Sequence, residues 1–268
     1  MEGSKIDKED INFILRESKN QVENNNKNYH LIHMFNYKYL VDNKIFQETP
    51  INIYCDKFSI ENIYLSISHN ILKNIKEVFN SCDLIIDKYI SSTYSSGLFL
   101  FNKIQLSNGC CLVDIGYEKT SLAIFNNLSL IKVFSFPIGS NHITKDISKI
   151  CYLSEKESEI IKKDYISSTG LLYDNTDEDY LNRKYFVESK FRKISLKFLK
   201  DIISSRVNEI LCIVNEEIEN FDNFNIVKDN LIFTGGGSKI VNFIDYIDLN
   251  SSSLSLNLTQ NNLKQVND

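Results

Sequence analysis

Two apolar runs that each end in glycine constrain this chain most. Cys110 to Ile115 closes on Asp114-Ile115-Gly116, and Leu231-Ile232-Phe233-Thr234 leads into Gly235-Gly236-Gly237-Ser238, about 120 residues later. Each run reads as a short buried strand. A carboxylate at a strand end can hold a magnesium-bound water, and a glycine beside it lets backbone N–H groups approach a phosphate. Taken alone, Asp-x-Gly next to a hairpin is more often an ordinary turn. Three glycines between a strand and a helix let backbone lie against a base, a sugar or a phosphate, and serve equally as a plain connection. Neither stretch is a Walker A loop or a Rossmann G-x-G-x-x-G.

The remaining pattern alternates strands with helices, which specifies an α/β fold. Asp7 caps a short helix carrying Ile11, Ile14 and Leu15, and Gln21 to Asn28 reads as a polar linker. His30 to Leu40 and Asn62 to Ser68 are expected strands. His69 to Cys82 places Ile71, Leu72, Ile75, Val78 and Phe79 on one stripe of an amphipathic helix. Leu84 to Ile90 is expected as a strand, with a helix from Ser91 to Phe101 after it. Ser121 to Phe125 and Leu128 to Phe136 flank Asn126-Asn127 and predict a hairpin. Asn141 is placed as the cap of a helix with Ile143, Ile147 and Ile150, and Ser154 with Glu157 forms a capping box for the next. Gly170 to Asn182 is an acidic loop, Phe191 to Asn220 a long helix, and Ser238 to Tyr246 a shorter one; beyond Ser251 the chain is expected to fray.

Composition narrows the function. With 268 residues, 43% of them apolar, the chain can bury a core. A net charge of −5 gives no basic footprint for nucleic acid. Six cysteines form no CxxC pair and read as buried thiols. His30, His33, His69 and His142 lack metal-ligand spacing, so no metal site is expected. No apolar run is long enough to span a membrane.

Together the two glycine turns resemble those of the actin-like ATPases, and of the FtsA family of bacterial cell-division proteins in particular. The family's phosphate-2 turn, D-I-G-G-G-T-T, is matched by Asp114-Ile115-Gly116-Tyr117-Glu118-Lys119-Thr120. Its I-P-x-G-x-x-x-[VI]-T-x-D-I pattern is matched from Phe136-Pro137-Ile138-Gly139 to Thr144-Lys145-Asp146-Ile147. Its R-x-x-E-[LI]-L-x-x-V-x-E-E-I helix is matched by Arg206, Glu209, Ile210, Leu211, Val214, Glu216, Glu217 and Ile218, and its T-G-G loop by Thr234-Gly235-Gly236. The β/α unit before residue 90 looks like the 1C subdomain of that family. The resemblance implies an incomplete actin-like, ribonuclease H-like fold: residues 1–27 a remnant of subdomain 1A and linker, 28–90 a 1C-like subdomain, 91–106 a connecting helix of 1A, and 107–268 subdomains 2A and 2B.

By the same resemblance the nucleotide contacts are Asp114, Gly116, Lys119, Thr120, Gly139, Gly235, Gly236 and Gly237, with Arg206 and Glu209 lining base and ribose. ATP would bind weakly, with Mg only when nucleotide is bound. Tyr117 and Glu118 replace two glycines of the turn and add bulk and negative charge beside a polyanion. Only about 27 residues precede the 1C-like unit, and none resembles the family's phosphate-1 loop. Positioning supplies most of phosphoryl-transfer catalysis, so little or no ATP hydrolysis is expected. Gln260 to Asp268 is too polar for the family's membrane-targeting helix. The expectation is a cytoplasmic cell-division scaffold, not an enzyme, recruited to the inner membrane by its partners, FtsZ and copies of itself or full-length relatives. Alternatives are a PilM-like pilus-assembly protein and a residual ATPase or kinase of the same superfold.

Overall fold

The structure is a computed structural model of the 268-residue chain, and it describes residues 3–169, 171–172, 179–220, 230–250 and 263–265. The chain divides into two compact units, residues 1–99 with 126–131, and residues 100–125 with 132–268.

In the first unit, β1 (Ser4–Lys5) pairs antiparallel with β4 (Tyr54–Cys55). A three-stranded antiparallel sheet has the order β3 (Lys44–Phe46), β2 (Tyr29–Val41), β5 (Phe58–Ser68). Helix α1 (Lys8–Asn25) starts at Asp7, whose carboxylate accepts from Asp10 N at 2.8 Å. The helix is longer than expected: Gln21 to Asn25 is helical, because polar residues are tolerated on a solvent face. Asp42 and Asn43 take φ of 46° and 66°, the turn that twists a two-residue hairpin correctly. The small core gathers Ile6, Ile11, Tyr39, Val41 and Cys55.

Helix α2 (His69–Asn80) follows β5 directly, capped by the Ser68 hydroxyl. Of its expected apolar stripe only Leu72 is buried, while Ile71, Val78 and Phe79 are exposed. Leu84 to Ile90 is not a strand. The run has strand composition but forms no ladder with any described residue, so nothing satisfies its backbone as a strand requires. Helix α3 (Ser92–Leu100) comes next.

The second unit is built on a five-stranded sheet. Its members are β6 (Cys110–Ile115), β7 (Thr120–Asn126), β8 (Ser129–Phe136), β9 (Leu231–Thr234) and β10 (Leu263–Gln265), in the order β10-β9-β6-β7-β8. β6 is antiparallel to β7 and parallel to β9. Helix α4 (Lys103–Asn108), whose first residues fall in the single connecting helix expected over 91–106, leads into β6. Helices α5 (Ser140–Cys151), α6 (Glu155–Ser168), α7 (Leu196–Glu219) and α8 (Phe243–Asn250) complete the unit. The core joins Cys111, Val113 and Ile115 to Leu122, Ile147, Ile203, Leu211, Phe233 and Phe243. Residues 110–113 are all fully buried, as a strand covered on both faces requires.

Several boundaries differ from the sequence reading. The cap of α5 is Gly139, and Asn141 sits within the first turn. The long helix begins at Leu196, after the Ser195 cap. Gly236–Ser238 forms a short 3-10 turn after the Gly235 cap and the last helix starts only at Phe243, because Asn242 takes a left-handed φ of 56°. Gly170 and most of the acidic loop after it lie outside the described residues, as does the stretch beyond Ser251 apart from β10.

Candidate nucleotide cleft

The register of β6 against β9 sets Asp114 opposite Thr234, which brings the two glycine turns together. Gly235 takes a φ of 88°, and a Cβ there would strike the Asp114 carboxylate and come within 2.5 Å of the Ile115 carbonyl. A Cβ on Gly237 would strike the Ile115 side chain. Only glycine lets these backbones touch.

The turn after β6 is docked onto helix α5. Gly116 N–H donates to Lys119 O at 2.9 Å. Gly116 O and Tyr117 O accept from Ser140 N–H (2.9 Å) and Asn141 N–H (2.8 Å), satisfying the first donors of the helix. Gly139 is pressed into the turn: a Cβ on it would lie 2.5 Å from Tyr117 O and 2.7 Å from Gly116 O. Thr120, fully buried, donates its hydroxyl to Ile138 O at 2.7 Å. The N–H groups of Tyr117, Glu118 and Lys119 donate to no described residue. Successive amides of this kind make an anion-binding concavity.

The three non-glycine positions of the turn are exposed, each with its own environment. The Glu118 carboxylate accepts from Asn141 Nδ2 at 2.6 Å and is held there. Burial pushes the Asp114 carboxyl above its ordinary value, and Lys119 opposes this. Tyr117 is 56% exposed and lines a cleft of about 560 Å³ with Ser140, Ile143, Glu159, Lys162, Gly236 and Gly237.

Lys162 is the residue that sequence reasoning missed. It is 4% exposed, and its ammonium donates to Ser140 O (3.1 Å), Thr144 Oγ1 (2.8 Å) and Glu159 (2.7 Å). Burial lowers its pKa, and the bond to Glu159 opposes the fall. The signal was present: Lys162 lies between Ile161 and Tyr165 on the buried face of α6, with Glu159 one turn earlier. A lysine is almost never so deeply buried without partners.

Asp114, Gly116, Lys119, Thr120, Gly139, Gly235, Gly236 and Gly237 are therefore brought into one neighbourhood. Arg206 and Glu209 are elsewhere. Arg206 makes a two-pronged pair with Asp146, at 2.7 Å from Nε and 3.0 Å from Nη2, and also bonds Glu209. Both line a groove of about 410 Å³ with Ile150, Phe198 and Asp201, which shares no lining residue with the glycine cleft. Ile150 and Phe198 continue into a second hollow of about 460 Å³ edged by Tyr152, Arg192 and Lys193. Among the described residues no cluster of three or more metal-ligating side chains occurs, and no helix is long and apolar enough to cross a membrane.

Comparison with known proteins bears on this arrangement. A cell division protein FtsA of Buchnera aphidicola subsp. Schizaphis graminum is 27% identical over 214 residues, 80% of this chain and 50% of that protein. The cell division protein FtsA of Bacillus subtilis is 25% identical over 228 residues, 85% of this chain and 49% of that protein. The chain thus spans about half the length of these relatives. Among solved structures, a PilM-PilN type IV pilus biogenesis complex superposes with a TM-score of 0.62 at 15% identity, covering 94% of this chain and 62% of the other. MreB5 of Spiroplasma citri bound to ADP gives 0.57 at 21% identity, covering 75% and 62%. These likenesses establish an actin-like fold. The family model described as cell division protein FtsA matches residues 111–259, more than half the chain, and takes in both glycine turns: the chain belongs to the FtsA family.

Proposed function

We propose that this chain is an FtsA-type division scaffold that binds FtsZ, associates with copies of itself or with longer relatives, and holds nucleotide weakly with little or no hydrolysis. Family membership supplies the division role. The observation that carries the scaffold reading is the surface between α5 and α7. There Ile150 and Phe198 are each 47% exposed, between an end where Asp146 and Glu209 share Arg206 and Asp201 adds a further carboxylate, and a basic end at Arg192 and Lys193. Apolar side chains flanked by charges of both signs suit a peptide segment of a partner. Self-association is assigned to the 28–90 unit, where Ile71, Val78, Phe79 and Ile85 remain exposed. The site at midcell would then be reached through partners.

Nucleotide is assigned to the glycine cleft. The amides of Tyr117 to Lys119 suit a phosphate, the bare backbone of Gly236 and Gly237 suits adenosine, and Asp114 would hold the water of a bound Mg ion. Bound Mg would neutralise phosphate charge. The Thr120 hydroxyl is committed to Ile138 O, which weighs against turnover.

Co-sedimentation with FtsZ polymers tests the scaffold. The chain is expected in the pellet, and Phe198→Asp is expected to leave it in the supernatant. Recovery of wild type and variant in equal amounts, with or without FtsZ, refutes the reading and leaves a pilus-type role as the next to examine.

A further inference from the structure

We propose that Tyr117 is a specificity-determining residue that makes the cleft discriminate against a polyphosphate tail, so that it takes a nucleoside or nucleoside monophosphate at least as well as a triphosphate. The inference rests on the nucleotide reading of the same cleft.

Tyr117 is fixed by its backbone. Its carbonyl accepts from Asn141 N–H at 2.8 Å, and Gly139 packs against that oxygen so closely that even a methyl group would not fit. The turn is held on α5 by its backbone, and the ring lines the cleft it shares with Gly236 and Gly237. The Lys162 ammonium lies 6.0 Å from the ring centroid, and Lys162 itself is immobilised by Ser140, Thr144 and Glu159. A fixed cation beside the ring face favours the position over the cleft to one in solvent.

The consequence follows from where the amides are. Phosphate oxygens reach the N–H groups of Tyr117, Glu118 and Lys119 only by approaching the turn to hydrogen-bond distance, about 3 Å. A glycine at 117 would leave the turn bare, whereas Tyr117 adds a phenol on the cleft side of the same turn, which a phosphate tail approaching these amides has to clear. A ligand without a tail meets no such obstacle and can use the ring as a stacking face. Glu118 does not explain the same effect, since its carboxylate is held by Asn141.

Calorimetric titration of the full chain with adenosine, AMP and ATP tests this, using wild type, Tyr117→Gly, Tyr117→Phe and Glu118→Gln. Wild type is expected to bind adenosine or AMP no more weakly than ATP. Tyr117→Gly is expected to raise ATP affinity at least tenfold with adenosine affinity within about threefold, while Tyr117→Phe and Glu118→Gln keep the wild-type order. A wild-type preference for ATP of tenfold or more overturns the proposal. An ATP affinity unchanged in Tyr117→Gly also overturns it and leaves the nucleotide reading standing. Binding of none of the three ligands by any folded variant overturns both.

Discussion

At the scale of single residues, the three glycines after β9 are not equivalent. Gly235 has a positive φ and no room for a Cβ, while Gly236 has open space around it. Gly235→Ala should destabilise the chain by about 2 kcal/mol or more, from backbone strain and the clash with Ile115. Gly236→Ala should stay within about 0.5 kcal/mol. Urea unfolding distinguishes them, and equal effects would contradict the packing of the two turns. Glu157 is a second case. It is 3% exposed and accepts from Ser154 N–H (2.9 Å), Glu188 N–H (2.7 Å), Ser189 N–H (2.9 Å) and the Ser189 hydroxyl (2.5 Å). Burial alone would raise its pKa, but these bonds outweigh it and bring the carboxyl from 4.5 down to about 2. A group depressed on folding adds stability that is full above pH 4.5 and lost as pH falls toward 2. Glu157→Ala should cost about 2–3 kcal/mol at pH 7. Glu157→Gln should flatten the loss of stability between pH 5 and pH 2 in acid titrations, by the same linkage. A variant as acid-sensitive as wild type would show that the clasp does not act through charge.

At the scale of elements, α2 shows how a helix can be correctly read and its packing misjudged. The 3.6-residue stripe is present, yet Leu72 is 4% exposed and Val78 64%. Leu72→Ala should cost about 2–4 kcal/mol by thermal or urea unfolding, and Val78→Ala under about 0.5 kcal/mol. Comparable losses would mean that Val78 is covered in solution. Periodicity marks an apolar face but not how much of it a neighbour covers. Leu84 to Ile90 teaches the same lesson for strands, since β-forming side chains make a strand only when another backbone satisfies their ladder. Where pairing is local, as in the hairpin of β7 and β8, the sequence signal finds the hairpin and misses its turn by one residue: Asn127 and Leu128, not Asn126 and Asn127, take left-handed φ of 50° and 61°.

At the scale of the whole molecule, the net charge of −5 and the mixed polar face of α2, with Lys73, Lys76 and Glu77 among asparagines, oppose binding to an anionic surface. The purified chain should remain at the bottom in flotation with anionic vesicles, at low and at physiological salt. Salt-sensitive co-flotation would contradict this. What the sequence by itself determined was local: strand runs, glycine turns, helix caps such as Asp7 and Ser154, and the family motif that joins residues 114–120 to 234–236. Each depends on neighbours a few residues apart, or on a pattern with few physical solutions. Tertiary structure alone decided the rest. The register of β6 against β9 set Gly235 on Asp114, and the packing of α7 on α5 placed Arg206 beside Asp146 in a groove of its own. The packing of α6 on α5 buried Lys162 at the cleft, where Glu159, Thr144 and the Ser140 carbonyl share its charge. Apart from the local Lys162–Glu159 pair, those outcomes depend on which surfaces meet across 18 to 120 positions of chain, and the spacing along the sequence does not fix that meeting, because burial and partnership are properties of packed neighbours and not of the residue itself.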